Sequence, residues 1–270
     1  MKLSVITINF NNRDGLRKTI ESVVDQTYND FEYIIIDGGS TDGSVDVIKE
    51  YADRIDYWVS EPDKGIYNAM NKGIDVAKGE YCIFMNSGDC FYNLSVLSYV
   101  SSSFDGKDIV AGVTVLTDGR ITLPPRQISL SFWYFGTICH QSTFIRTAML
   151  SKYKYDENYK IAADYKFWLQ TLIVNNCTYK CIKENIAIYD IFGASSVNEE
   201  LLMKERELAK NEVLPDCLLY DLKGPENEFY MELKRRKFHK KIYKLNVILI
   251  KILGLFKGKD YWINKYPLDI

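Results

Sequence analysis

Over roughly the first ninety residues the chain alternates between two hydrophobic rhythms. Apolar runs at Leu3 to Ile8, Phe31 to Asp37, Ile55 to Ser60 and Glu80 to Asn86 have the length and β-branched content of buried strands. Between them, Gly15 to Gln26, Ser44 to Asp53 and Ile66 to Ala77 space apolar residues near 3.6 and predict helices. This β-α-β-α-β-α-β order predicts an α/β fold, a mainly parallel sheet with helices on both faces. In such sheets ligands gather outside the carboxyl ends of the strands. Each predicted strand runs there into a polar, turn-forming cluster: NFNN, DGGSTDGS, EPDKG and NSGD. The four clusters are expected to share one rim.

The pattern loosens afterwards. DIVAGVTVLTDGRITL predicts a hairpin with Asp118 and Gly119 at its turn. CHQSTFI leads into another strand, AADYKFWLQTLIV has the spacing of an amphipathic helix, and YKCIKENIAIYD predicts a late strand. From Glu199 the chain turns helical and charged. Residues 1–198 are therefore assigned to one domain, with halves at 1–115 and 116–198, and 199–270 to a C-terminal helical extension.

Composition changes this picture only at the end of the chain. The formal net charge of −2 gives no global field to attract nucleic acid. Lys234 to Lys259, however, holds ten lysines and arginines and no acidic residue. The apolar run Leu245 to Phe256 follows the densest part of that stretch; it is too short to span a bilayer but suits a helix lying on an anionic one. A cap on the domain or on a second subunit is the other reading. The six cysteines show no CxxC pair and read as reduced thiols, and the first residues lack a cleavable signal. The expected location is the cytoplasm, with peripheral contact to the inner face of the plasma membrane.

The rim clusters supply the candidate chemistry. Asp89 ends a buried strand, where a carboxylate can hold a divalent cation against phosphates or simply shape a turn. Asp37, before two glycines, can accept from a nucleobase or form an Asx turn. Phe10 can stack on a base or join the core. Lys64 can meet a phosphate or be solvated, Asp63 can contact a sugar or ribose, and Asp164 at a helix start favours the helix dipole. His140 can face a diphosphate or acceptor or be structural, and Gln141 is a plausible acceptor contact.

Taken together, SVITINFNNRDGLRKTIESVVDQTYNDFEYIIIDGGSTDGS, EPDKGIYNAMNKGIDVAKGEYCIFMNSGD, CHQSTF and AADYKFWL resemble the inverting family 2 glycosyltransferases of bacterial cell-surface polysaccharide synthesis. The resemblance covers residues 1 to about 190 and implies the GT-A nucleotide-diphospho-sugar transferase fold. By that resemblance 1–115 is the nucleotide-binding half and 116–198 the acceptor-binding half. Ile8, Asn9, Phe10 and Asp37 would hold uridine, with Asp63, Lys64 and Ser87 also on the nucleotide. NSGD stands in place of the DxD motif that holds Mg2+ or Mn2+. Asn86 and Gly88 occupy positions where aspartates are frequent, which leaves Asp89 as the motif's metal ligand. The family's base lies in a Glu-Asp pair, where this chain has Ala163 and Asp164, so the resemblance implies Asp164 as the catalytic base.

The expected reaction moves a sugar from a UDP-sugar donor to a saccharide acceptor, lipid-linked if the basic tail meets a membrane. The alternatives are a nucleotidyltransferase, for which TINFNNRDG is a poor phosphate loop, and a non-catalytic nucleotide-sugar or polysaccharide-binding subunit. An oligomer is compatible with the sequence.

Overall fold

The structure is a computed structural model, and it describes residues 3–191 and 198–223. The chain divides into two compact units, the first ending at Leu214. The second unit's described part is a helix, Asp216–Lys223.

The first unit begins with β1 (Leu3–Asn9), α1 (Arg13–Val24), β2 (Phe31–Asp37), α2 (Ser44–Glu50), β3 (Tyr57–Ser60), α3 (Ile66–Val76) and β4 (Tyr81–Phe84). It continues through β5 (Cys90–Phe91), α4 (Val96–Ser101), β6 (Ile109–Leu116), β7 (Ile121–Thr122), α5 (Leu130–Phe135), β8 (Thr143–Arg146) and α6 (Thr147–Tyr153). It closes with α7 (Ala163–Trp168), β9 (Tyr179–Tyr189) and α8 (Glu199–Val213).

All strands join one sheet in the order β3-β2-β1-β4-β8-β6-β9-β5, with β7 paired to β6. The first four are parallel, as the sequence predicts, with Asn9 opposite Asp37 and Ile6 opposite Phe84. Beyond β4 the sheet becomes mixed. β8 is antiparallel to β4 and β6, and β5 is antiparallel to β9, while β6 and β9 are parallel. The β6–β7 hairpin turns at Gly119, whose φ of +84° suits glycine.

Strand alternation sorts the core onto two faces. Leu3, Val5, Tyr33 and Ile35 pack with Leu16, Ile20 and Val23 of α1. Ile6 and Ile36 face α3, which approaches so closely that a Cβ on Gly73 would collide with Ile6. The expected helix to Asp53 stops at Glu50, and Ala52–Arg54 forms a separate tight turn. The helix predicted from AADYKFWLQTLIV widens to a π-helical turn at Leu169–Val174. α8, placed in the extension by the sequence reading, belongs to the first unit and packs on α7. The basic stretch 234–259 lies outside the described residues.

β1 is flanked by β2 on one side and β4 on the other, so the chain's direction of travel across the sheet reverses there. A crevice opens at such a point.

Candidate active site

The crevice is a cavity of about 600 Å³. All four rim clusters reach it: Ile8, Asn9 and Phe10 from the first, Gly38 from the second, Asp63 from the third, and Asn86, Ser87 and Asp89 from the fourth. The second half of the unit adds His140, Gln141, Asp164 and Asp190.

One end is shaped for a flat ring. Phe10 is 63% exposed, unusual for an aromatic side chain outside an interface, and stands at the rim. A Cβ on Gly38 would lie 3.2 Å from Phe10 Cδ2 and would collide with the Asp63 carboxylate, so glycine keeps this edge open. Asp63 also accepts the Gly65 N–H at 2.8 Å, which fixes its turn.

Asp37 departs from its expected place. It is 0% exposed and does not line the cavity. Its Oδ1 accepts from Asn9 Nδ2 (2.7 Å) and Ser40 Oγ (2.6 Å), and its Oδ2 from Ser40 N–H (2.9 Å) and Ser60 Oγ (2.6 Å). Burial alone would raise its carboxyl, but the hydrogen bonds from Ser40, Ser60 and Asn9 outweigh burial and hold it below the usual range. A nucleobase could reach it only by displacing one of these donors. Asn9 is the group it orients; Asn9 lines the cavity and its buried Oδ1 has no partner among the described residues. Lys64 is exposed and does not line the cavity, although its neighbours Asp63 and Gly65 do.

The NSGD loop is pinned from α1. Thr19 Oγ1 donates to the Asp89 carbonyl at 2.6 Å and accepts the Gly88 N–H at 3.0 Å. Asn12 Nδ2 donates to the Ser87 carbonyl at 3.1 Å. This holds Asp89, 4% exposed, against the cavity. Its Oδ1 accepts the Asp190 N–H at 2.9 Å, and Gln141 bonds it as well. Burial pushes the Asp89 carboxyl up to about 7; the Asp190 N–H and His140 pull it down, and the Asp190 charge adds to the rise.

Asp190, just past β9, was not singled out by the sequence reading. Gly88, at φ +104°, carries no side chain, and a Cβ there would sit 3.0 Å from Asp190 Oδ2. The space left by the missing motif side chain is bordered by a carboxylate from a distant strand. Two hard oxygen donors beside a cavity fit a divalent cation that takes its remaining ligands from phosphates and water. Among the described residues no three His, Cys, Asp or Glu side chains converge to hold an ion by themselves.

Asp164 opens α7 and faces the cavity. Its Oδ1 accepts the Tyr165 N–H at 2.8 Å and the Tyr67 hydroxyl at 3.3 Å, while Oδ2 lies 3.2 Å from His140 Nδ1. Burial and then the Asp164 charge raise Tyr67 well above its ordinary range, so it stays a protonated donor. The loop before α7 is held by Glu205 of α8, which accepts the N–H groups of Lys160, Ile161 and Ala162 at 2.7, 2.9 and 2.9 Å. His140 and Gln141 both border the cavity.

The comparisons say which family carries this arrangement. Residues 4–161 match the model for glycosyl transferase family 2, more than half of the chain, and the protein belongs to that family. An uncharacterized glycosyltransferase of Mycobacterium tuberculosis is 35% identical over 207 residues, covering 73% of this chain and 78% of its own. A PGL/p-HBAD biosynthesis glycosyltransferase of Mycobacterium bovis is 26% identical over 211 residues, covering 74% and 82%. Among solved structures, S. aureus TarS 1-349 in complex with UDP-GlcNAc superposes with a TM-score of 0.63 at 19% identity over 82% of this chain and 70% of that one. This chain spans 42% of the longer TarS chain. The mannosyltransferase PcManGT of Pyrobaculum calidifontis, in complex with GDP-Man and Mn2+, gives a TM-score of 0.59 at 12% identity over 97% and 83%. These structural likenesses establish the GT-A architecture.

Proposed function

We propose that this glycosyltransferase moves a sugar from UDP to a hydroxyl group of a saccharide acceptor in a single inverting displacement assisted by Mg2+ or Mn2+. The observation that carries the reading is convergence: Phe10, the Asp89–Asp190 pair and Asp164 come from distant parts of the chain and line one cavity. The UDP and UDP-GlcNAc complexes of TarS support a uridine donor.

In this reading the base stacks on Phe10. A uracil N3–H needs an acceptor, and Asn9 Oδ1 is a better candidate than Asp37, whose oxygens already accept four hydrogen bonds. Asp89 and Asp190 would hold the cation, which when bound neutralises charge on the departing diphosphate. Asp164 takes the proton of the acceptor hydroxyl as that oxygen bonds to the anomeric carbon, and the bond from that carbon to the diphosphate oxygen breaks to release UDP. Tyr67 and the Tyr165 N–H fix one carboxylate oxygen, which orients the other. A lipid-linked acceptor is part of the proposal, supported by the basic residues of 234–259.

The test is UDP release from UDP-Glc, UDP-Gal, UDP-GlcNAc and UDP-GalNAc with Mn2+, repeated with Asp164→Asn and Asp89→Ala. Release from one donor, lost in both variants, is expected. Release that survives both substitutions would defeat the mechanism, and no release from any donor would favour a binding subunit.

A further inference from the structure

The segment that leads into Asp164 cannot cap its own helix. Ile161, Ala162 and Ala163 carry no polar side chain, and α7 begins after Ala162 without a side-chain cap. The N–H groups of Lys160, Ile161 and Ala162 converge instead on one carboxylate of α8, Glu205, 43 residues beyond Ala162 in the chain. Glu205 is 7% exposed, and a carboxylate so buried is costly unless hydrogen-bonded; three backbone donors meet that need. Glu205 does not line the cavity, but the segment it grips does, through Ile161. We infer that Glu205 is a positioning residue for the transfer step, setting where the Asp164 carboxylate stands over the cavity without touching substrate. The inference rests on Asp164 being the base proposed above.

The other contacts of this segment leave that task to Glu205. The Tyr165 N–H that bonds Asp164 Oδ1 belongs to α7 and travels with it, and the Tyr67 hydroxyl of α3 reaches the same oxygen only at 3.3 Å. These orient the carboxylate; its place is left to the backbone. Asn71 of α3 fixes the far end of the segment, accepting the Tyr155 N–H at 2.9 Å and donating to the Tyr155 carbonyl at 2.8 Å. A second acid of α8, Glu212, accepts from the Tyr159 hydroxyl at 2.9 Å and meets Lys166 Nζ at 2.6 Å. Its side chain is 41% exposed, and such pairs join long side chains that swing without moving the backbone. Glu205 grips the backbone two residues before Asp164, so a shift there carries the carboxylate with it.

The experiment uses the full chain with Mn2+ and whichever of UDP-Glc, UDP-Gal, UDP-GlcNAc and UDP-GalNAc supports UDP release. Glu205→Gln keeps the volume but turns an NH2 group toward N–H donors. It should lower kcat roughly 10- to 100-fold, the effect of a displacement of about 1 Å, and leave the donor KM and UDP affinity by calorimetry nearly unchanged. Glu212→Gln should change kcat by less than about twofold. In the Asp164→Asn background Glu205→Gln should cost no further turnover, because a residue that acts through the base then has nothing to act on. An unchanged kcat in Glu205→Gln, an equal loss of UDP affinity, or the full loss repeated on top of Asp164→Asn would overturn the inference. If Glu205→Gln does not fold, Glu205→Asp, too short to reach all three donors, takes its place. Hydrogen exchange in the unsubstituted protein decides as well: the N–H groups of Lys160, Ile161 and Ala162 should be as protected as those of α7, and exchange at the rate of an open loop would count against the inference. Release lost in Asp164→Asn but intact in Glu205→Gln defeats this inference alone, whereas release that survives in Asp164→Asn defeats the base reading and the inference with it.

Discussion

Asp190 donates its backbone N–H to Asp89 Oδ1 at 2.9 Å although 101 residues separate them in the chain. The contact fastens the end of β9 to the NSGD loop and sets a second carboxylate beside the first. Asp190→Asn keeps the backbone donor and removes only the charge. It should weaken Mn2+ binding in the presence of UDP by roughly 10–100-fold. Thermal stabilisation titrated with Mn2+ at fixed UDP measures this; an unchanged titration would exclude Asp190 from the cation site.

The buried Asp89 carboxyl makes stability depend on pH in a definite direction. Its folded-state pKa is raised from 3.8 to about 7, so the folded protein binds this proton more tightly than the unfolded chain. The contribution is complete below about pH 4 and is lost as pH rises through 7. Cation-free melting temperatures should therefore fall across that window, and fall less in Asp89→Asn. The same variant should melt higher than the parent at pH 7.5 without cation, yet gain nothing from Mn2+ and UDP. Parallel melting curves for the two proteins from pH 4 to 7.5 would contradict the assignment.

Asp164→Asn should lower kcat by roughly 10²–10⁴-fold. UDP affinity by calorimetry should stay nearly constant, because in the proposed mechanism the side chain meets the acceptor hydroxyl and not the nucleotide. Tyr67→Phe removes one hydrogen bond to that carboxylate and should cost about fivefold in kcat, equivalent to about 1 kcal/mol.

Phe10→Ala should weaken UDP binding by about 1–3 kcal/mol, the usual worth of stacking a base on an aromatic ring. Because Phe10 is 63% exposed, the melting temperature should barely move. A large stability loss with intact UDP binding would reassign Phe10 to packing.

The basic segment makes a separate prediction. Full-length protein should sediment with anionic liposomes at low salt, and replacing the lysines and arginines between 234 and 244 with glutamine should reduce that, each engaged charge contributing about 1 kcal/mol. Unchanged sedimentation would argue for a packing role.

The first four strands and their turns were legible because their signals are local. Strand length, helix period and turn chemistry within a few residues placed NFNN, EPDKG and NSGD on one rim, where the sheet has them. Two features were not legible. Asp37 looked like a ligand because it ends a strand before glycines, but whether such a carboxylate faces a cavity or its own loop depends on Ser40, Ser60 and Asn9, and only the fold brings Asn9 and Ser60 to it. Asp190 gave no signal because it follows an ordinary apolar strand; its place beside Asp89 arises from a strand pairing no short window contains, and from the absence of a side chain at Gly88. The mixed character of the sheet beyond β4 was missed for the same reason, since direction is set by partners and not by the strand's own residues.

Glu205 makes the order of synthesis matter. A ribosome that has just released β9 has made every side chain that lines the cavity, yet the segment carrying Asp164 still lacks the carboxylate that ties down its three N–H groups. On the proposed reading, a chain ending just upstream of α8 is expected to keep its nucleotide site and to lose the tether that aims the base.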